Sequence, residues 1–237
     1  MVVVDDPDAV GALCAAGGRE PLLIADGHHR YETALAVSDT LCDNVKAAFL
    51  LVCVVSQQDP GLIVQPTHRV LSDPPAGGSS FDWQLALADR FSIRDLGPVS
   101  PGTAESLARE RTDGGMVVLS GSDQAAAWLI IPRPEALAAV GVSGVRRHLA
   151  PVIFDSLVLR AMYRLDADRA AREGILSYAR EAKQAVSAMA SGGRAFVLPP
   201  VSLEDVWSTT VGGGRLPPKS TYFEPKIPSG LVFRSLR

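Results

Sequence analysis

Ile24-Ala25-Asp26-Gly27-His28-His29-Arg30-Tyr31-Glu32-Thr33-Ala34 is the stretch from which the rest of the chain is best read. The apolar run Pro21–Ala25 before it has the character of a strand and stops at Asp26 and Gly27. A helical pattern starts at once, with Tyr31, Ala34 and Leu35 at helical spacing, and predicts a helix over His28–Val37. A strand ending against a new helix leaves backbone N–H groups without partners inside the helix. Asp26, His28, His29 and Arg30 bring charge and proton-transfer groups to that same corner. Such a junction suits an anion, because the helix N-terminus carries partial positive charge and arginine offers planar, two-pronged donation.

Outward from this corner, Asp8–Ala16 reads as a short helix. Lys46–Ser56 reads as a long strand buried on both faces, since its apolar residues do not alternate with polar ones. Asp59-Pro60-Gly61 is a turn, and Leu62–Val64 should pair back to make 46–64 a hairpin. The Pro/Gly/Ser-rich stretch Asp73–Ser80 marks a boundary. Helix Trp83–Arg90, a strand at Phe91–Arg94, helix Ala104–Arg111 and strands Met116–Leu119 and Ala126–Ile131 make a small α+β unit. Beyond it we expect a long helix Arg146–Tyr163 with Leu149, Ile153 and Leu157 on one stripe, and an amphipathic helix Glu181–Ala190. Strand Ala195–Leu198, helix Leu203–Trp207, a glycine loop Gly212–Gly214 and strand Leu231–Phe233 complete the chain. The fold class is therefore α+β, a mixed sheet with flanking helices. Three regions follow: 1–73 with the strand–helix corner and hairpin, 81–140, and 141–237 returning to the site.

Composition narrows the function. The 237 residues are 47% hydrophobic, enough for one sizeable core or two small ones. A net charge of −3 argues against a globally basic nucleic-acid binder. The longest apolar run, Ala47–Val55, has nine residues against the roughly 20 that span a bilayer, which argues against a membrane partner. Cys14, Cys42 and Cys53 lack paired spacing and read as reduced and mostly buried, which fits the cytoplasm.

Three motifs carry chemistry. At the corner, Gly27 and Arg30 are candidate phosphate contacts, and Asp26, His28 and His29 candidate catalytic groups, although Asp26 has a plainer alternative as a helix cap. Adjacent helical residues point about 100° apart, so His28 and His29 do not chelate one metal ion together. Only one should face a pocket, and His29, nearer the helix body, is favoured as general base. Glu32 and the second motif, Thr67, His68 and Arg69, are candidate lining of the substrate pocket; a surface turn is the alternative for Thr67–Arg69. The third motif is Pro217–Phe223. It is not a nucleotide phosphate loop, because Pro218 stands where that loop needs glycine before Lys219. Lys219, Ser220 and Thr221 could face an anion from an extended segment, or the tail could simply dock through Tyr222 and Phe223. We expect Lys219 and Arg30 to flank one cleft.

The corner segment, Asp59–Leu62, Pro66–Arg69 and Pro217–Phe223 together resemble the prokaryotic family catalogued as domain of unknown function 1015. Members of that family are typically longer at the N-terminus, so this chain looks like the C-terminal part of one. Asp26-Gly27-His28-His29-Arg30 is also similar to the G-x-x-R motif of the ParB/sulfiredoxin-like superfamily, which includes chromosome-partitioning CTPases, sulfiredoxins and ADP-dependent free-serine kinases. That resemblance implies a ParB/sulfiredoxin-like element in the N-terminal part, with Gly27 and Arg30 on nucleotide phosphates. The kinase members place their acidic base upstream of this motif. The combined expectation is a protein that binds a nucleotide (ATP or ADP, arriving with Mg) and transfers phosphoryl to a small hydroxyl compound. The alternative is a non-catalytic nucleotide-sensing module.

Overall fold

The computed structural model describes residues 2–72, 81–121, 125–141, 144–189, 192–228 and 230–235. The Asp73–Ser80 boundary expected from composition lies outside them. The chain divides into two units, Val64–Tyr222 and Met1–Ile63 with Phe223–Arg237. The divisions fall inside two short strands, β1 (Ile63–Gln65) and β8 (Tyr222–Glu224).

The larger unit is built on a six-stranded sheet. Its strands in chain order are β2 (His68–Leu71), β3 (Phe91–Val99), β4 (Met116–Ser120), β5 (Ala125–Pro132), β6 (Leu176–Ala179) and β7 (Arg194–Val197). Across the sheet they run β3-β5-β4-β7-β2-β6, and every pairing is antiparallel. Both faces are covered, which is why β4 reads as an unbroken apolar run: Met116, Val117, Val118 and Leu119 are all fully buried. Strand alternation sorts them. Met116 and Val118 meet Phe196, Phe154 and Trp83 on one face, while Val117 and Leu119 meet the alanines of two helices on the other. Those helices are α4 (Pro101–Arg109) and α8 (Ala182–Ala188). They turn Ala104, Ala108, Ala182 and Ala185 inward, each fully buried. Ser100 starts α4 by accepting the Thr103 N–H at 3.1 Å, followed by Pro101 in the first turn.

Most expected elements of this unit are present, with shifted ends. Strand β3 runs past Arg94 to Val99 through a bulge, where Gly97 takes φ +67° and its N–H bonds to Asp95 at 2.8 Å. The expected long helix over 146–163 is broken. A 3-10 turn (Gly144–His148) leads to α6 (Ala150–Ile153) and then a π-helical stretch (Phe154–Tyr163). Pro151 has no N–H to donate, so it opens a helix rather than continuing one. The expected stripe survives the break, since Leu149, Ile153 and Leu157 are all buried. The short α3 (Trp83–Ala88), α5 (Pro134–Ala138), α7 (Ala167–Arg172) and α9 (Leu203–Val211) fill the remaining connections.

The smaller unit departs further from expectation. Helices α1 (Pro7–Gly17) and α2 (His28–Thr40) form where the spacing predicts them. Pro21–Ala25, 49–56 and Leu231–Phe233 are not strands, and no hairpin forms over 46–64; a 3-10 turn occupies Val45–Ala48. Phe49, Leu50, Leu51, Val52, Val54 and Val55 are exposed, and of this unit's described apolar residues only Ala47 and Phe223 are buried. An apolar run is suited to a sheet, but a strand also needs a neighbour to accept its N–H groups, and none pairs with 49–56 among the described residues. The three cysteines belong to this unit. They are free, but exposed rather than buried. No helix among the described residues is long and apolar enough to cross a membrane.

Candidate functional site

Within the smaller unit the corner at α2 is built around Gly27. Gly27 takes the N-cap place with φ +82°, a left-handed conformation that favours glycine. No side chain caps the helix, and its first turn carries no acidic residue. Tyr31 N–H, bonded to Gly27 O at 3.0 Å, starts the helical ladder, so the N–H groups of His28, His29 and Arg30 lie before its first bond. The Arg30 guanidinium folds back over the glycine. A Cβ at Gly27 would meet it at 2.8 to 2.9 Å, a contact the flexible Arg30 side chain can relieve by shifting, so it is the positive φ that favours glycine here. Asp26 does not cap the helix: its Oδ1 accepts the adjacent Gly27 N–H at 2.9 Å and its Oδ2 pairs with Lys226 Nζ at 3.1 Å. Partial burial pushes the Asp26 carboxyl up, but the Lys226 and Gly27 hydrogen bonds and the charges of Lys226 and Arg30 outweigh it and hold the group below the ordinary carboxylate range. His29 Nδ1 lies 3.4 Å from Glu32 Oε2, one helical turn on, with both side chains in solvent. His28 is exposed as well.

Within the larger unit β2 carries the second motif, and its alternation sends consecutive residues to opposite faces of the sheet. His68 faces α4. Its Nδ1 accepts the Leu198 N–H at 3.2 Å, which assigns the ring proton to Nε2, 3.5 Å from Glu105 Oε1. Burial drives the ring pKa down to about 4 despite the nearby Glu105 carboxylate, so the ring is neutral at pH 7. Glu105 also accepts the Ala182 N–H and lines an open hollow of about 470 Å³ with Pro101, Gly102, Glu181 and Lys183. Arg69 faces the other way and is 1% exposed. Its Nη1 donates to Thr67 O at 2.7 Å and Lys219 O at 2.9 Å, and its Nη2 to Pro218 O at 3.2 Å. The guanidinium lies 4.8 Å from the centre of the Tyr178 ring. Burial lowers its pKa to about 10, leaving it charged at neutral pH. Asp155 of the π-helical stretch is buried near it, its carboxyl pushed up by that burial and its Oδ1 without a hydrogen bond.

The tail turn is thus tied to β2 by Arg69. Lys219 takes φ +56°, unusual for a residue with a side chain, and that side chain is exposed. Ser220 is buried, its Oγ donating to Pro217 O at 2.7 Å, and Thr221 is half-buried. The structure therefore brings together Asp26, Gly27 and Arg30; His29 and Glu32; and Thr67 and Arg69 with Lys219. It places His68 away from Arg69, across the sheet. Glu105, Asp155 and Tyr178 escaped the sequence reading because nothing in their local sequence marks them. Lys226, the partner of Asp26, lies three residues beyond the tail motif, and nothing in its local sequence marks the pairing. Among the described residues no three His, Cys, Asp or Glu side chains are placed to hold a metal ion.

Residues 1–157 match the family described as "Protein of unknown function (DUF1015)", and the chain belongs to that family. No curated protein matches it. Among solved structures, a free serine kinase variant in complex with ADP is similar at 15% identity and a TM-score of 0.46, over 91% of this chain and 78% of that one. Free serine kinase in complex with AMP gives 13% identity and 0.38, over 94% and 81%. A conserved hypothetical protein from Pyrococcus furiosus gives 14% and 0.37, over 91% and 81%. At these TM-scores the likeness assigns neither ligand nor reaction to this chain.

Proposed function

We propose that the protein binds a nucleotide through its phosphates and transfers a phosphoryl group to a small hydroxyl compound. The observation that carries this reading is the uncapped start of α2, with the Arg30 guanidinium folded over Gly27. A helix start that no side chain caps suits a phosphate, since its backbone N–H groups are fixed in direction before the ligand arrives. Within the larger unit, Lys219, Ser220 and Thr221 are proposed as phosphate contacts. In the transfer, the acceptor oxygen forms a bond to phosphorus while the phosphoanhydride bond breaks, and the bridging oxygen leaves with the nucleotide. The acceptor's proton passes to Asp26, His28 or His29. His29 suits this best, being exposed on the first turn with Glu32 within 3.4 Å. Magnesium arriving with the nucleotide would neutralise phosphate charge.

A panel of ADP, ATP, GTP and CTP tests the binding half by thermal shift. A ligand at 100 times its Kd adds about 2.7 kcal/mol to stability. Phosphorus NMR with candidate hydroxyl acceptors tests the transfer. Binding without turnover would replace the phosphotransferase reading with that of a nucleotide sensor. No shift at millimolar nucleotide would contradict both.

A further inference from the structure

A wholly buried arginine in a small sheet needs a reason, because removing its charge from water is costly unless partners replace the water. Arg69 makes no ion pair within 4 Å among the described residues. Its hydrogen-bond partners are backbone carbonyls, and two of the three belong to Pro218 and Lys219, about 150 residues away in sequence. Carbonyls that follow one another along a chain point to a common donor only if the backbone between them turns. Here the turn is made at Lys219, with φ +56°, where a side chain is strained. Ser220 is fixed on the far side of the turn by burial and by its bond to Pro217 O. The Lys219 ammonium is the group left outside, in solvent and in no ion pair among the described residues.

We propose that Arg69 is a positioning residue: from inside the sheet it clamps the carbonyls of Pro218 and Lys219 and so holds the strained turn that presents the Lys219 ammonium to an anionic ligand. Lysine would not replace it, because one ammonium lacks the fork that spans neighbouring carbonyls. The inference rests on the reading of Lys219 as a phosphate contact.

The test is a double-mutant cycle on the full chain with ADP as probe. Lys219→Ala should weaken ADP binding by about tenfold, the scale of one charge-assisted contact. Arg69→Lys should weaken it comparably, and in the Lys219→Ala background should add no more than about twofold. A residue that only stabilised the fold would show no such coupling. Independent, additive losses overturn the clamp and leave the phosphate contact standing. An unchanged affinity for Lys219→Ala overturns the phosphate contact itself, and the clamp's role with it. The turn can also be read without disturbing the core. Glycine takes φ +56° without the strain that alanine, like lysine, bears there, so Lys219→Gly should melt about 3 °C above Lys219→Ala. Equal or reversed melting temperatures would mean that the turn is not held in solution, and would overturn the proposal.

Discussion

The corner at Gly27 and the tail turn at Lys219 each combine an arginine with a positive-φ residue, yet they are opposites in burial. At the corner everything polar is near solvent: Arg30 lies over its glycine and Asp26 pairs with Lys226 at the surface. At the turn the arginine is inside, engaged with three carbonyls, and the lysine alone is outside. An exposed arginine is available to a ligand; a buried one shapes the backbone that presents another group. Residue type does not distinguish the two roles, whereas the strand or helix that carries the residue does.

The two units differ in the same sense, and substitutions in their apolar residues should separate them most widely. Phe196 is fully buried between Phe154 and Trp83, with ring centres 5.0 and 6.1 Å away. Phe196→Ala should cost about 4 kcal/mol in urea unfolding. Leu51, 51% exposed, should cost under about 0.5 kcal/mol on the same change. Similar losses at both positions would mean that 49–56 is buried in solution.

Acid should act mainly through the larger unit. The folded His68 pKa is about 4 against an ordinary value of 6.5. Below pH 6.5 the unfolded chain therefore binds a proton that the folded chain refuses. Stability contributed by the neutral ring is intact above pH 6.5 and is lost as pH falls toward 4, about 3 kcal/mol in all. Denaturation followed across that window should show the loss, and His68→Gln should flatten it. A smaller effect is expected at the corner. Asp26→Asn removes a surface ion pair and should change stability by under about 1 kcal/mol, and by less in high salt. A larger, salt-independent loss would mean that Asp26 is more deeply engaged than its surroundings indicate.

Much of the larger unit was legible in the sequence because its strands are short, apolar and bounded by caps such as Ser100 and Asp82. The α+β class and the buried stripe Leu149, Ile153 and Leu157 follow from that patterning. The widened helix after Pro151 does not, since no local signal encodes a π-helical stretch. Lys46–Ser56 misled for a different reason: its residues favour a sheet, but a sheet also requires a partner, and sequence pattern carries no record of one. At the corner, Gly27 and the helix start were readable, while the fold-back of Arg30 was not. His68 and Arg69 stood out as residues, but placing them together in the lining of one pocket overlooked the strand alternation that parts them. Glu105 and Asp155 reach them only through tertiary packing.

Arg30 is the centre of the proposed phosphate-binding corner, and calorimetric titration of ADP or ATP into the wild-type protein and Arg30→Ala tests that role most directly. Arg30 is exposed and its loss should leave the unliganded melting temperature within about 2 °C. Losing a charge-assisted contact to phosphate should weaken nucleotide binding at least about tenfold. That pair of results is what the account predicts. Equal nucleotide affinity in the two proteins would contradict the phosphate-binding corner outright.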